Sequence, residues 1–288
     1  MAKLTIRDDA DADPLRGAAN GTARAADIPP VDVARETRLG RIFGGAAILS
    51  VLLTLASLLV QGSSIPRREG NQEPNDRTQL FDVGGGGDGL LVSQYLRALS
   101  VLLIIAVAWF LYDAIRGRNP SFSVWVPRAG TLAFAATAVV LILGFYEVRD
   151  VADEFLGSGP RSLERAESLL DEARDGTLGT INLVTVLAGL VSGIWLSITS
   201  LEAGRVGLLT RFLSVFGIGA GLATAIPGLG IGPYLMLGWL GSVGAIAVGY
   251  WPGGRPPAWE AGRAMSWDEI EAQERGARIE RRERRNEG

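Results

Sequence analysis

The 288-residue chain is 48% hydrophobic with a mean hydropathy of +0.23, too apolar for a soluble domain of this length. Its net charge of −3 says little, because 28 basic and 31 acidic residues sit in blocks between long uncharged runs. Cysteine and histidine are both absent, which excludes disulfides, thiolate nucleophiles, Cys- or His-bound zinc, His-ligated haem and serine–histidine catalysis.

Residues 1–38 are polar, rich in Ala, Asp and Arg, and contain Pro14, Pro29 and Pro30. No apolar stretch follows the first charges, so a cleavable signal peptide is not expected. A disordered cytoplasmic tail is expected instead, because such a composition buries too little apolar surface to offset its ordering entropy. The first membrane span is predicted at about 42–60, behind Arg38 and Arg41. Ser50, Thr54 and Ser57 fall on one face of it. They either satisfy nearby carbonyls or a neighbouring helix, or line a polar track. A long loop, 61–94, then carries Gly84-Gly85-Gly86-Gly87-Asp88-Gly89. This run has neither the Gly-Lys-Ser/Thr ending of a phosphate loop nor the βαβ setting of a dinucleotide site, and reads as a flexible joint.

The second span is predicted at about 97–115, with Trp109, Tyr112 and Asp113 at one boundary. The connection 116–128 holds Arg116, Arg118 and Arg128 and no acid, a positive-inside signal that places it in the cytoplasm. The third span, about 129–148, is rich in Ala and Gly. Its acidic following loop contains an amphipathic helix over 162–174, with Leu163, Ala166, Leu170 and Ala173 on one face and Gly176 as the stop. This helix is expected on the extracytoplasmic side, resting on the outer surface or on the first loop.

The fourth span, about 181–200, contains Gly189 and Gly193 at GxxxG spacing, a packing face for another helix. The stretch from Phe212 to Trp251 then runs forty residues without Asp, Glu, Lys or Arg. Hydrocarbon about 30 Å thick needs roughly 20 apolar residues per crossing, so this length suits two spans, about 207–226 and 233–251. Gly217 and Gly221 supply a second GxxxG. Pro227, Gly228, Gly230, Gly232 and Pro233 mark the break between the spans, because this sequence cannot remain helical. The first arm is short, with fifteen residues between Arg211 and Pro227, so a re-entrant loop over 212–232 is the alternative. Beyond Trp251 the chain, 252–288, is polar. Ser266 and Glu269 form a capping box that opens a charged helix over 266–285, and Arg281, Arg282, Arg284 and Arg285 could touch anionic lipid.

The fold class expected is therefore all-α, a polytopic bundle of six transmembrane helices spanning 39–251 in the cell membrane, with both termini cytoplasmic. The long loop after span one, the amphipathic segment before span four and the closing LLTRFLSVFGIGAGLATAIPG resemble uncharacterised six-span integral membrane proteins of high-GC bacteria. The resemblance covers about residues 40–251. Membership in that domain-of-unknown-function class implies no activity, and no site residue is carried over from it.

No acid or base lies in the middle of a predicted span, which disfavours proton-coupled transport. No catalytic, cofactor-binding or metal-ligating residue can be named, and nucleic-acid binding lacks aromatic platforms and a basic excess. The bilayer is the expected partner, alongside a membrane-protein partner or a second copy. The leading reading is a non-enzymatic accessory or scaffold protein of a bacterial inner membrane. A channel or small-solute permease using the break at 227–233 is the alternative, and a lipid-modifying enzyme the third.

Overall fold

The computed structural model describes residues 31–65, 75–226, 228–252, 254–273 and 275–276. Among these the chain is helical, without strands. Asp32 opens α1 (Val33–Ser64), its carboxylate accepting the Arg35 amide at 3.0 Å, as an N-cap does. The helix therefore begins inside the segment expected to be a tail, and 33–38 are ordered helix. Residues 1–30 lie outside the described residues.

The first loop is not the flexible joint expected. Asn75 and Thr78 form a reciprocal capping box that starts α2 (Asp76–Gly85), and α3 (Gly87–Arg116) follows after Gly86 alone. Gly87, at φ +53°, turns the chain between the two helices. The glycine run is thus a tight corner, and α3 begins ten residues before the predicted span. Similarly α4 (Trp125–Gly157) continues nine residues past the predicted end of the third span. Ser162 caps α5 (Leu163–Asp175), the predicted amphipathic helix, and Gly176 separates it from α6 (Thr177–Arg205). Thr210 caps α7 (Arg211–Ala225), while Gly249, at φ +96°, ends α8 (Gly232–Val248). A short α9 (Pro257–Ala261) and a further turn of helix at 267–273 complete the chain. The latter covers the start of the expected charged helix; 277–288, with Arg281, Arg282, Arg284 and Arg285, lie outside the described residues.

Six helices close a ring in the order α1, α3, α4, α6, α7, α8 and back to α1, with α3 touching α6 across it. Sequential helices alternate in direction, as short connections require. Four of them, α1, α3, α4 and α6, are long and apolar enough to cross a membrane, whereas α7 and α8 have 15 and 17 residues. The axis is filled by Leu111, Trp195, Leu196, Trp239 and Leu240, each at most 2% exposed. The outward faces are just as apolar. On α1, Ile42, Leu49, Leu52, Leu55 and Leu59 are exposed, and on α6 the exposed residues run from Leu183 to Leu201. At 1.5 Å per residue these two faces are about 26 and 27 Å tall, close to the ~30 Å of bilayer hydrocarbon. Apolar surface of this extent is untenable in water. The molecule is a membrane-embedded helical bundle.

A second, smaller core forms at one end, where Leu80 of α2, Ala152 and Phe155 of α4, and Ala166 and Leu170 of α5 are all buried. Phe81 packs edge-on against Phe155 at 5.6 Å. Arg174 joins the cap's two helices through Asp76 at 3.4 Å. The amphipathic helix thus rests on the first loop and on the far end of α4.

Candidate functional site

Three regions hold polar groups inside the bundle: a seam around the α7–α8 hairpin, hydroxyls between α1 and α3, and a charged clamp at the end opposite the α2–α5 cap.

Gly189, Gly193, Gly217 and Gly221 all lie where α7 meets its neighbours. A Cβ at Gly193 would stand 2.7 Å from the Ala225 amide and 2.8 Å from its Cβ. At Gly221 it would meet the Gly193 carbonyl at 2.5 Å and the Ser197 amide at 2.9 Å. The α6 and α7 backbones therefore touch, an approach only glycine permits. Gly189 faces the Thr224 carbonyl more loosely, 3.6 Å from a Cβ, and Ser197 Oγ donates to the Ile218 carbonyl at 3.3 Å. These small-residue faces are used within the chain itself. Gly217 differs, because the space its missing side chain leaves is bordered by Ser200 Oγ and the indole Nε1 of Trp239. Both atoms are buried, and among the described residues neither has a hydrogen-bond partner; nor does Thr199 Oγ1 next to Ser200. Ser214 Oγ donates to the Ser200 carbonyl at 2.8 Å.

The break itself is a turn. Gly228 and Gly230 take φ of +84° and +67°, and Ile231 donates its amide to the Leu229 carbonyl at 2.7 Å. Gly232 lies against the Thr224 backbone, where a Cβ would come within 2.5 Å, and Pro233 sits in the first turn of α8. Residues 228–231 are exposed and face out of the bundle. Pro227 lies outside the described residues.

The hydroxyls of span one are paired across to α3. Ser50 Oγ and Ser100 Oγ are 2.9 Å apart, each within reach of the other's carbonyl, and Thr54 Oγ1 meets Ser100 Oγ at 2.7 Å. Ser57 Oγ donates to the Thr54 carbonyl at 2.8 Å. Of the two sequence readings, satisfaction of a neighbouring helix is the one realised, and these groups form an interhelical polar contact.

The clamp was not legible in the sequence. Arg118, whose side chain is fully buried, forks onto Glu36 at 2.7 and 2.9 Å, and donates to the Ala258 and Ala114 carbonyls. Its guanidinium lies over the Trp259 ring at 5.6 Å. Trp259 stacks on Phe110, which stacks on Phe43, and its indole donates to the Leu208 carbonyl at 2.9 Å. One cluster so ties the start of α1, the α3–α4 and α6–α7 connections and α9 together at one end of the bundle. Bidentate pairing, full carbonyl satisfaction and a cation–π face are what a desolvated arginine requires. The two partners are 82 residues apart, and each alone resembles an ordinary membrane-flanking charge. Nearby, Asn119 Nδ2 donates to Glu202 at 3.1 Å, and Glu202 also pairs with Arg205 at 2.7 Å.

Among the described residues, no group of three or more Asp or Glu could hold a metal ion. No family model, curated protein or solved structure matches the chain.

Proposed function

We propose that this chain is a non-enzymatic, six-span protein of the cell membrane that serves as an accessory or scaffold subunit, with both termini in the cytoplasm. The observation that carries this reading is the filled axis: Leu111, Trp195, Leu196, Trp239 and Leu240 occupy the space a conduction path would need. Six crossings are supported by the level of the hairpin turn. Thr224 lies opposite Gly189, six residues or about 9 Å short of the outer limit that Leu183 marks on α6. The turn beyond it is apolar and forms its own backbone bonds, which a short crossing in a tolerant bilayer needs. The orientation is supported by the connection 116–128 at the clamp end, which carries Arg116, Arg118 and Arg128 and no acid, against a near-even spread of the other arginines between the two ends.

The permease reading draws support from one feature, the unpartnered Ser200, Thr199 and Trp239 polar atoms inside the bundle, since buried orphans mark groups that a substrate can satisfy. Solute flux into proteoliposomes separates the two. No specific flux, together with stable co-purification of a membrane partner, is the outcome expected. Specific flux that is abolished by Trp239→Phe would overturn the scaffold reading.

A further inference from the structure

On the outer face of the ring, α1 and α8 diverge to leave an apolar groove of about 500 Å³. Val51 and Leu55 form one wall; Tyr234, Leu237 and Ala245 form the other, and Gly238 and Gly241 give it depth. From Tyr234 to Ala245 it runs about 16 Å along α8, the depth of one leaflet of a ~30 Å hydrocarbon core. Trp251 and Pro252 close the end nearest the clamp.

Two guanidiniums stand at that end. Arg255 reaches round the α8 terminus to the Ile246 and Ala247 carbonyls and to Thr37 Oγ1 of α1. It lies 3.7 Å from where a Gly40 Cβ would be, one residue from Arg41. Arg41 is exposed and enters no ion pair among the described residues. It shares its face of α1 with Ile48, Leu52 and Leu55, spaced i+7, i+11 and i+14, so it stands over the groove's α1 wall. Burial, and after it the repulsion from Arg41, lowers the Arg255 guanidinium below its ordinary value. The nearest acids, Glu36 and Glu260, act on it less than burial and Arg41 do, Glu36 being committed to Arg118 and Glu260 being exposed.

We propose that this groove is a binding site for an anionic phospholipid of the adjoining leaflet, its headgroup phosphate between Arg41 and Arg255 and one acyl chain along Gly238, Gly241 and Ala245. Two guanidiniums without an ion pair among the described residues, beside a chain-length apolar cleft with Tyr250 and Trp251 at the interfacial level, match the chemistry of an anionic lipid at both of its ends. A second copy of the chain would have to bring an acidic group to the same point.

The test is native mass spectrometry of the full-length protein in detergent, titrated with dioleoyl phosphatidylglycerol or dioleoyl phosphatidylcholine. The wild type should retain one phosphatidylglycerol about 25-fold more strongly than phosphatidylcholine, and Arg41→Gln should cut that preference to about fivefold, each arginine near a membrane surface accounting for about a factor of five. Gly241→Leu should remove the tightest-bound lipid of either kind. Among the described residues its Cβ would meet Val51 at 3.7 Å, an ordinary van der Waals contact. Equal retention of both lipids by the wild type, or an unchanged preference in Arg41→Gln, would overturn the proposal. So would a wild-type dimer that Gly241→Leu converts to monomer, because the groove would then belong to a second copy. Should Gly241→Leu lose its cooperative unfolding transition, the wild-type and Arg41→Gln titrations still decide.

Discussion

Truncating Arg118 leaves the Glu36 carboxylate, 7% exposed, without a counter-charge in a dry site. Arg118→Met should therefore cost about 3–5 kcal/mol, whereas the double variant Arg118→Met with Glu36→Leu should recover much of that loss, since the pair's net worth is small. Thermal unfolding in detergent checks both. The same variant should free α9, seen as faster proteolysis beyond residue 252, because Arg118 holds the Ala258 carbonyl and underlies Trp259. Two glycines of α7 provide a matched contrast. Gly221→Ala forces a Cβ into the α6 backbone and should destabilise by about 1–3 kcal/mol. Among the described residues nothing lies within 4 Å of a Gly219 Cβ, and Gly219→Ala should be neutral or stabilising by up to about 1 kcal/mol. Sequence spacing identified Gly217 and Gly221 as packing residues. It could not distinguish the close backbone contact of Gly221 from the polar notch at Gly217, because that difference depends on which side chains arrive from α6 and α8.

At the scale of elements, the α2–α5 cap and the C-terminal segment are attachments to the ring. The cap's core is five residues, so Leu170→Ala, at about 2–5 kcal/mol for a buried leucine, should exceed what the cap can lose. Hydrogen exchange should then quicken in α2 and α5 while the centres of α3 and α6 stay protected. The 267–273 turn is held by the Arg263–Glu269 pair. The hydrogen bond from Arg263 holds the Glu269 carboxyl below its ordinary value. A depressed carboxylate stabilises above its unfolded pKa, and that contribution disappears as the pH falls through the lowered value. Acidification below the usual glutamate range should therefore loosen this turn, reported by Trp267 fluorescence, and Glu269→Gln should remove the acid-dependent change. The pair is solvent-exposed, so the effect is local and small. The amphipathic α5 could be read from its period. The α2 helix could not, because a glycine-ended segment with little apolar face is called to helicity by its cap at Asn75 and by docking of Leu80.

Viewed whole, the molecule is a ring whose outside is as apolar as its inside, and its position in the bilayer follows from that symmetry of solvent. A reporter fused at residue 160, in the cap, should read as extracytoplasmic, and one at the C-terminus as cytoplasmic. A cytoplasmic signal at 160 would reverse the proposed orientation. The sequence by itself determined that the protein is helical and membrane-embedded, because the lengths of its uncharged runs and the placement of its charges answer to hydrocarbon thickness, a property of the solvent. It also located the hairpin break, where a run rich in proline and glycine interrupts the helix, with Gly232 and Pro233 opening α8 on its far side. Only the tertiary structure decided which helices are neighbours, that two tryptophans and three leucines fill the axis, and that Arg118 and Glu36 meet across 82 residues. Those features arise from contacts between distant segments, and a run of apolar residues that looks the same to lipid and to another helix carries no record of which it will face.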